Sequence, residues 1–218
     1  MKQPLSVVDS ARRLRYRTRM RIIAGTHRGR RLQAPEGLTT RPMTDRVREN
    51  LFNLLGPGAC EGARVLDLFC GSGALALEAL SRGARAATLV DADAAAVAAA
   101  RANAERLGVT DRVRIERRDV LQPGPWLVPA GGESYTLLFV DPPYKMTADP
   151  DGRQRLADMA RRLADLGCVA SGAVAMLRAE RGTDAAPTWD GFDPLDARPY
   201  GTTTLYFLRR CEKRDVGE

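Results

Sequence analysis

Histidine and paired cysteines, on which many hydrolases and metalloenzymes depend, are scarce in this chain. Its 218 residues include one histidine, His27, and four scattered cysteines that form no C-x-x-C pair. A Ser-His-Asp triad would have to use His27, and a zinc site would have too few ligands, so we predict neither of them and no bound metal. We interpret the four cysteines as reduced thiols.

A long apolar run is also missing. No stretch approaches the roughly 18 to 20 apolar residues that a membrane span needs. The N-terminus is rich in arginine but lacks the apolar core of a secretory signal. These absences argue against a membrane protein and favour a cytoplasmic one, while the hydrophobic fraction of 44% indicates a folded core of one domain with a small appendage.

The charge of the chain is distributed unevenly. Residues 1–50 contain 13 Lys and Arg against 4 Asp and Glu, a net of +9, whereas the whole chain carries +7. A basic block beside a slightly acidic body is typical of a surface that contacts a phosphate backbone. A solvated arginine-rich face has the same composition and is the alternative.

The spacing of apolar residues divides the chain into four segments. In order, they are a disordered leader, a basic appendage, a domain of alternating strands and helices, and a tail, over residues 1–19, 20–58, 59–212 and 213–218. In the appendage, two short strands around a Gly- and Arg-rich turn predict a hairpin. Thr44 or Asp45 is the expected N-cap of a helix over 46–55.

The predicted domain is an α/β sandwich. Strands are expected at 64–69, 87–90, 113–116, 135–140 and 173–177, and helices at 74–81, 94–107 and 153–166. This alternation predicts a mostly parallel sheet covered on both faces. An antiparallel hairpin over 195–199 and 203–208 closes the sheet, which distinguishes the fold from an ordinary dinucleotide-binding fold.

The first strand of the domain turns sharply into a helix through a loop that contains Phe69, Gly71, Ser72 and Gly73. Glycines suit a loop that a ligand approaches closely, because a Cβ would block the approach. The pattern also matches a nicotinamide fingerprint, but the carboxylate of Asp67 would repel a pyrophosphate. It suits the cationic, phosphate-free methionine end of S-adenosylmethionine. A structural turn without a ligand is the alternative.

Aspartates also follow the next two strands. Asp91 ends the second strand, where an acidic residue in such folds accepts hydrogen bonds from both ribose hydroxyls. Asp119 follows the third strand and could accept from an adenine amino group while the amide of Val120 faces a ring nitrogen. Each aspartate alone is more often a cap or turn residue, as we expect for Asp93. Three at the ends of successive parallel strands predict one ligand site.

The tetrapeptide Asp141-Pro142-Pro143-Tyr144 follows the fourth and most apolar strand. The exocyclic amino group of a base is a poor nucleophile because its lone pair is delocalised into the ring. The Asp141 carboxylate and the Pro142 carbonyl can accept its N–H groups, which favours a pyramidal nitrogen whose lone pair is aimed at a methyl sulfonium. The two prolines fix the loop, and Tyr144 offers a face for stacking the base. A structural Pro-Pro turn is the alternative.

Taken together, these motifs resemble a class I methyltransferase and, more narrowly, the RsmD family of 16S ribosomal-RNA guanine-N2 methyltransferases. The resemblance covers about residues 20–209 and is carried by Arg21–Gly25, Arg28–Arg30, Arg41-Pro42, Thr44–Glu49, Leu66–Leu75, Glu78–Ala84, Asn103 and Asp141–Tyr144. Many amino-group methyltransferases share the tetrapeptide, whereas the Arg-Pro and Asp-Arg-Val-Arg-Glu segment is specific to the family. The chain departs from the family at Met43, where Thr is usual, and residues 1–19 have no counterpart.

This resemblance implies a fold, a cofactor and a partner. The fold is a Rossmann-like class I methyltransferase sandwich with a mostly parallel seven-stranded sheet and a C-terminal antiparallel hairpin. The cofactor is S-adenosylmethionine, and the substrate is one guanine N2 in 16S rRNA of the small ribosomal subunit or its assembly intermediate. The appendage would then bind RNA and the enzyme would act as a monomer. The expected phosphate contacts are Arg21, Arg28, Arg30, Arg31, Arg41 and Arg46.

Four other functions compete with this interpretation. An adenine-N6 methyltransferase acting on DNA or another RNA would use the same tetrapeptide, which serves any exocyclic amine. A non-catalytic RNA-binding assembly factor has little reason to keep Asp141–Tyr144 intact. A nicotinamide-dependent oxidoreductase is disfavoured by Asp67. Cytosine-C5 methylation would need a thiol beside the site, and no cysteine lies in or next to the tetrapeptide.

Overall fold

A computed structural model describes residues 20–35, 43–129, 132–182 and 187–211. The predicted leader, the tail and Arg41 lie outside the described residues. Strands β1 to β7 cover Arg64–Leu68, Ala86–Asp91, Val113–Arg117, Tyr135–Val140, Val169–Glu180, Phe192–Tyr200 and Thr203–Arg210. Helices α1 to α5 cover Asp45–Leu55, Ala74–Ser81, Ala94–Leu107, Tyr144–Ala148 and Pro150–Asp165.

The seven strands form one sheet in the order β3-β2-β1-β4-β5-β7-β6. Strands β1 to β5 are parallel, and β7 runs antiparallel between β5 and β6. The predicted mostly parallel sheet with a closing antiparallel hairpin is therefore confirmed. In such a sheet, the carboxyl ends of the parallel strands meet along one edge, where ligands bind.

Each face of the sheet is covered by its own apolar cluster. Successive strand residues point to opposite faces, so Val65 packs with α1, α2 and α3, whereas Leu66 packs with α5. Helices α2 and α3 both begin at the carboxyl edge of the sheet and run back toward the opposite edge. Within the described residues, no helix combines the length and the apolar character needed to cross a membrane.

Two boundaries differ from the sequence-based prediction for identifiable reasons. Strand β5 extends over Val169–Glu180, because Gly172, with φ of 75°, accommodates a register shift against β4 without ending the strand. Helix α4, five residues long, was not predicted. Helix α5 begins at Pro150 because the Asp149 side chain accepts a hydrogen bond from the amide of Gly152 at 3.2 Å and proline suits the first helical turn.

Residues 20–35 reverse direction as predicted for a hairpin, but they do not form two regular strands. One isolated antiparallel bridge joins Arg21 to Arg31. The amides of Ile23 and Ala24 turn away and donate to the buried carboxylate of Glu78 on α2 at 2.7 and 3.0 Å. Three backbone hydrogen bonds join the two limbs, from Ile22 to Arg30, from Gly29 to Ile22 and from Leu32 to Met20, so the ladder is short and contacts to the helix beneath supplement it.

The described part of the predicted appendage packs into the core of the domain. Met20, Ile22 and Leu32 belong to the cluster that covers one face of the sheet. Buried Asn103 on α3 accepts from the amide of Gln33 at 2.7 Å and donates to its carbonyl at 2.9 Å. These contacts hold the N-terminal segment against α3, whereas the domain boundary at residue 58 stays a prediction.

Candidate active site

A cavity of about 790 Å³ opens at the carboxyl edge of the parallel strands. Its walls come from the ends of β1, β2, β4 and β5, from the start of α2, and from Met20, Pro35 and Met43 of the N-terminal segment. The charged residues that line it include Arg48, Asp67, Asp91, Asp141, Arg178 and Glu180. The structure therefore brings most of the predicted cofactor and catalytic residues to one place.

The loop after β1 combines two glycines with different physical roles. Gly71 has φ of 54° and no atom within 4 Å of the position a Cβ would take, so its backbone is open to a ligand in the cavity. Gly73 is not among the residues that line the cavity, and a Cβ there would lie 2.7 Å from Cδ2 of Leu89. Gly73 is therefore needed for packing of α2 on the sheet, and its role in cofactor binding stays a prediction. Phe69 and Ser72 line the cavity as predicted.

Asp67 is almost fully buried at the end of β1. Its Oδ2 accepts a hydrogen bond from the amide of Ala76 at 3.1 Å, and its Oδ1 has no hydrogen-bond partner among the described residues. Burial raises the pKa of Asp67 well above its usual value, and the nearby carboxylates of Asp141 and Asp91 raise it further. A cation in the cavity would relieve both effects, so the site fits the ammonium and sulfonium groups of S-adenosylmethionine.

Asp91 holds the loop and faces the cavity. Its Oδ2 accepts the amide of Gly71 at 2.9 Å, and its Oδ1 accepts the amide of Asp93 at 3.0 Å. Each carboxylate oxygen has more than one acceptor site, so these bonds leave capacity for ribose hydroxyls. Asp93 caps α3 by accepting the amide of Ala95 at 2.7 Å, as predicted.

Asp119 and Val120 lie outside the cavity wall. Asp119 is exposed in a turn, where its side chain accepts the amide of Leu121 at 3.0 Å and the side-chain amide of Gln122 at 3.2 Å. Val120 is buried in the apolar cluster on the α5 face. The structure does not bring these two residues together with Asp67 and Asp91, so their role in adenine binding stays a prediction.

The tetrapeptide lies at the cavity rim, and Asp141 follows β4 directly. Its amide donates to the carbonyl of Leu68 at 3.2 Å, which fixes the start of the loop against β1. Pro142 is buried, Pro143 precedes α4, and the Tyr144 side chain is half-buried beside the cavity. The loop therefore holds a carboxylate, a carbonyl and an aromatic ring close together.

Arg178 on β5 joins this group, although no sequence motif pointed to it. Its Nε lies 2.6 Å from Oδ1 of Asp141, and its guanidinium carbon lies 5.2 Å from the ring centroid of Tyr144. Burial raises the pKa of Asp141, whereas the guanidinium of Arg178 lowers it. Arg178 therefore favours the ionised form of Asp141, which is the stronger hydrogen-bond acceptor. It was missed because the predicted strand stopped at residue 177.

The predicted RNA-contacting arginines within the described residues are all exposed. They are Arg21, Arg28, Arg30, Arg31 and Arg46. Arg21 and Arg31 are paired on the two limbs of residues 20–35, and Arg46 lies on α1. Near the turn, the amide of Thr26 donates to the carbonyl of Ser81 at the end of α2, and Arg30 donates to the carbonyl of Arg106 near the end of α3. Arg28 and Arg30 do not border the cavity.

The sheet order, the single antiparallel strand β7 and the loops after β1 and β4 define a class I methyltransferase. Its cofactor is S-adenosylmethionine. A family model described as "Conserved hypothetical protein 95" matches residues 20–209, and the chain belongs to this family. The resemblance to the RsmD family is thereby confirmed.

Three relatives illustrate the similarity. Ribosomal RNA small subunit methyltransferase D of Escherichia coli (strain K12) is 37% identical over 161 residues, which cover 74% of this chain and 75% of that protein. YlbH of Bacillus subtilis (strain 168) is 40% identical over 126 residues, which cover 58% of this chain and 67% of that protein. The solved structure of yhhF from Escherichia coli has a TM-score of 0.73 at 32% identity and covers 89% of this chain and 99% of that one.

Proposed function

We propose that this methyltransferase transfers a methyl group from S-adenosylmethionine to the exocyclic N2 of a guanine in the 16S rRNA of the small ribosomal subunit. The observation that carries the proposal is the position of Asp141–Tyr144 beside Asp67 in one cavity. The choice of rRNA is supported by relatives that are named ribosomal RNA methyltransferases. The choice of guanine N2 rests on the resemblance to the family.

The cofactor end of the cavity is assigned to three residues. Asp67 accepts the α-ammonium group through its unpartnered Oδ1, and Asp91 accepts the ribose hydroxyls. Gly71 allows close approach to the backbone because it has no Cβ. When bound, S-adenosylmethionine supplies a methyl group on a positively charged sulfur.

The catalytic end is assigned to the loop after β4. Asp141 and the carbonyl of Pro142 accept the two N–H groups of the target amine, which localises the nitrogen lone pair. Tyr144 stacks on the base and holds it in the cavity. Arg178 is a positioning residue that keeps the Asp141 carboxylate ionised and oriented.

The exposed arginines are assigned to phosphate contacts. Arg21 and Arg31 lie beside each other on the two limbs of the N-terminal segment, Arg28 and Arg30 lie at its turn, and Arg46 lies on α1. An RNA that crosses this face would contact these side chains through its phosphates. The small-subunit context and the cytoplasmic location that follows from it stay predictions.

Product identification tests the proposal directly. The protein is incubated with labelled S-adenosylmethionine and either unmethylated small subunits or duplex DNA, and the nucleic acid is digested to nucleosides for mass spectrometry. N2-methylguanosine from the small subunit is the expected product. N6-methyladenine as the only labelled product would assign the chain to the competing class, and failure to bind S-adenosylhomocysteine in calorimetry would favour a non-catalytic factor.

Replacement of Arg28 and Arg30 by glutamine should weaken substrate binding and flatten its salt dependence. Each lost phosphate contact lowers the magnitude of the slope of log K against log salt by roughly 0.7 to 0.9. Filter binding at several salt concentrations measures the slope. The matched control replaces Arg155 and Arg162, which are exposed on α5 on the opposite face of the sheet, and should leave it unchanged. Equal slopes for the two double variants would show that the N-terminal segment does not contact phosphate.

Replacement of Arg178 by methionine should move the acid limb of the activity profile to higher pH. Asp141 is the stronger acceptor of N–H groups when it is ionised, and Arg178 opposes the rise in the Asp141 pKa that burial causes. The measurement is single-turnover rate against pH, with Arg178→Lys expected to stay close to the wild type. Exposed Arg181 provides a control, since Arg181→Met should leave the profile in place. An unshifted acid limb in Arg178→Met would remove the proposed role.

A further inference from the structure

Arg48 is a buried cation that the catalytic assignment leaves unused. It lies on α1, its side chain is 1% exposed, and it lines the same cavity as Asp67. Its Nη2 donates to the carbonyl of Arg21 at 2.5 Å and to Oδ1 of Asp45 at 2.9 Å. Its Nε is buried and has no hydrogen-bond partner among the described residues.

Burying Arg48 with an unsatisfied donor costs free energy unless a ligand binds to it. A guanidinium has five N–H donors, and burying a charge whose donors are not all satisfied costs free energy. Burial lowers the pKa of Arg48, and the charges of Asp45 and Glu78 oppose that effect. Holding the Arg21 carbonyl and Asp45 uses a single nitrogen of the group, so a structural role explains only part of it.

Asp67 is a buried acidic side chain that also lacks a hydrogen-bond partner at one of its atoms. Its Oδ1 is buried without a partner, as is Nε of Arg48, and both residues line one cavity. Both side chains interact with α2: Asp67 accepts the amide of Ala76, and Arg48 is attracted by the carboxylate of Glu78 on the same helix. A ligand group that carries a cation and an anion on neighbouring atoms, as the α-carbon of an amino acid does, would satisfy both side chains at once.

We propose that Arg48 binds the α-carboxylate of the methionine moiety of S-adenosylmethionine while Asp67 binds its α-ammonium group. The inference rests on the proposed placement of the cofactor in this cavity. The other two cations of the cavity wall are less suitable: Arg178 pairs with Asp141 at the catalytic loop, and Lys145 is exposed on α4. Arg48 thereby makes the enzyme selective for the intact amino-acid end of the cofactor.

Calorimetry with three nucleosides separates this role from a structural one. S-adenosylhomocysteine carries the whole amino acid, S-adenosyl-3-thiopropylamine lacks only the carboxylate, and 5′-methylthioadenosine lacks both charged groups. The wild type should bind the first about 10- to 100-fold more tightly than the second, the range expected for one charge-assisted interaction. In Arg48→Met this preference should fall to within about threefold, the affinity for 5′-methylthioadenosine should be unchanged, and Arg48→Lys should restore part of the preference.

A matched control tests whether Arg48 acts through the carboxylate or through α1. Asp45→Asn removes the ion pair of Arg48 but keeps its charge, and should leave the preference for the carboxylate near that of the wild type. Equal loss of affinity for all three nucleosides in Arg48→Met would overturn the inference. Equal affinity of the wild type for S-adenosylhomocysteine and S-adenosyl-3-thiopropylamine would also overturn it. This second result does not depend on whether any variant folds. Failure of S-adenosylhomocysteine to bind the wild type would instead contradict the placement of the cofactor.

Discussion

Replacement of Asp141 by alanine should reduce methyl transfer about 100- to 1,000-fold, the loss typical of removing one group that stabilises a transition state. The affinity of this variant for S-adenosylhomocysteine should stay within a few-fold of the wild-type value, because Asp67 and Asp91, to which the cofactor is assigned, are unchanged. The reason is that Asp141 stabilises the target nitrogen only as its lone pair localises. Single-turnover kinetics and calorimetry measure the two quantities separately.

Two further variants control for the ion pair that Asp141 makes. Asp141→Ala also removes the partner 2.6 Å from Nε of Arg178, so a thermal melt must accompany the kinetics. Asp141→Asn keeps an acceptor oxygen and should retain more activity than alanine, whereas the double variant Asp141→Ala with Arg178→Met removes both charges and should be as slow as Asp141→Ala. Near-normal turnover by Asp141→Ala would contradict the assignment of Asp141.

Among the variants discussed, replacement of Gly25 by alanine should cause the largest decrease in the free energy of unfolding. Gly25 has φ of 80°, and a Cβ there would overlap the backbone carbonyl oxygen of Ser81. The N-terminal segment would have to separate from α2, which removes the hydrogen bonds of Thr26 and His27 to Ser81. At about 1 kcal/mol for each hydrogen bond and 1 to 2 kcal/mol for the backbone, we expect a loss of about 3 to 4 kcal/mol.

Gly29 is the matched control for this variant. It has nearly the same φ, 81°, but no atom lies within 4 Å of the position a Cβ would take. Gly29→Ala should therefore cost only about 1 to 2 kcal/mol for the backbone. A scanning calorimeter should separate the two, because about 1 kcal/mol corresponds to roughly 2 to 4 °C at this size. Equal melting temperatures would show that the segment is not held by contact with Ser81.

The class of fold and the type of reaction could be predicted from local sequence patterns. Apolar periods of 3.6 and 2 predicted the alternating helices and strands, because these periods depend only on local backbone geometry. Asp67, Asp91 and Asp141 were found from the sequence because each ends a buried strand, and the carboxyl ends of parallel strands share an edge in any sheet of this kind. Met20 to Ala34 contain two short apolar stretches around a Gly- and Arg-rich turn, and this local pattern correctly predicted that the chain reverses direction there.

Contacts between residues that are distant in the sequence became apparent from the packing of the elements. Arg178 reaches Asp141 from β5, and Arg48 reaches the cavity from α1, at sequence separations that no local pattern encodes. The tertiary structure also gave Gly73 a packing role against Leu89 and left Asp119 in an exposed turn. The physical reason is the same in each case: local pattern specifies which element a residue belongs to, whereas its contacts depend on how the elements pack.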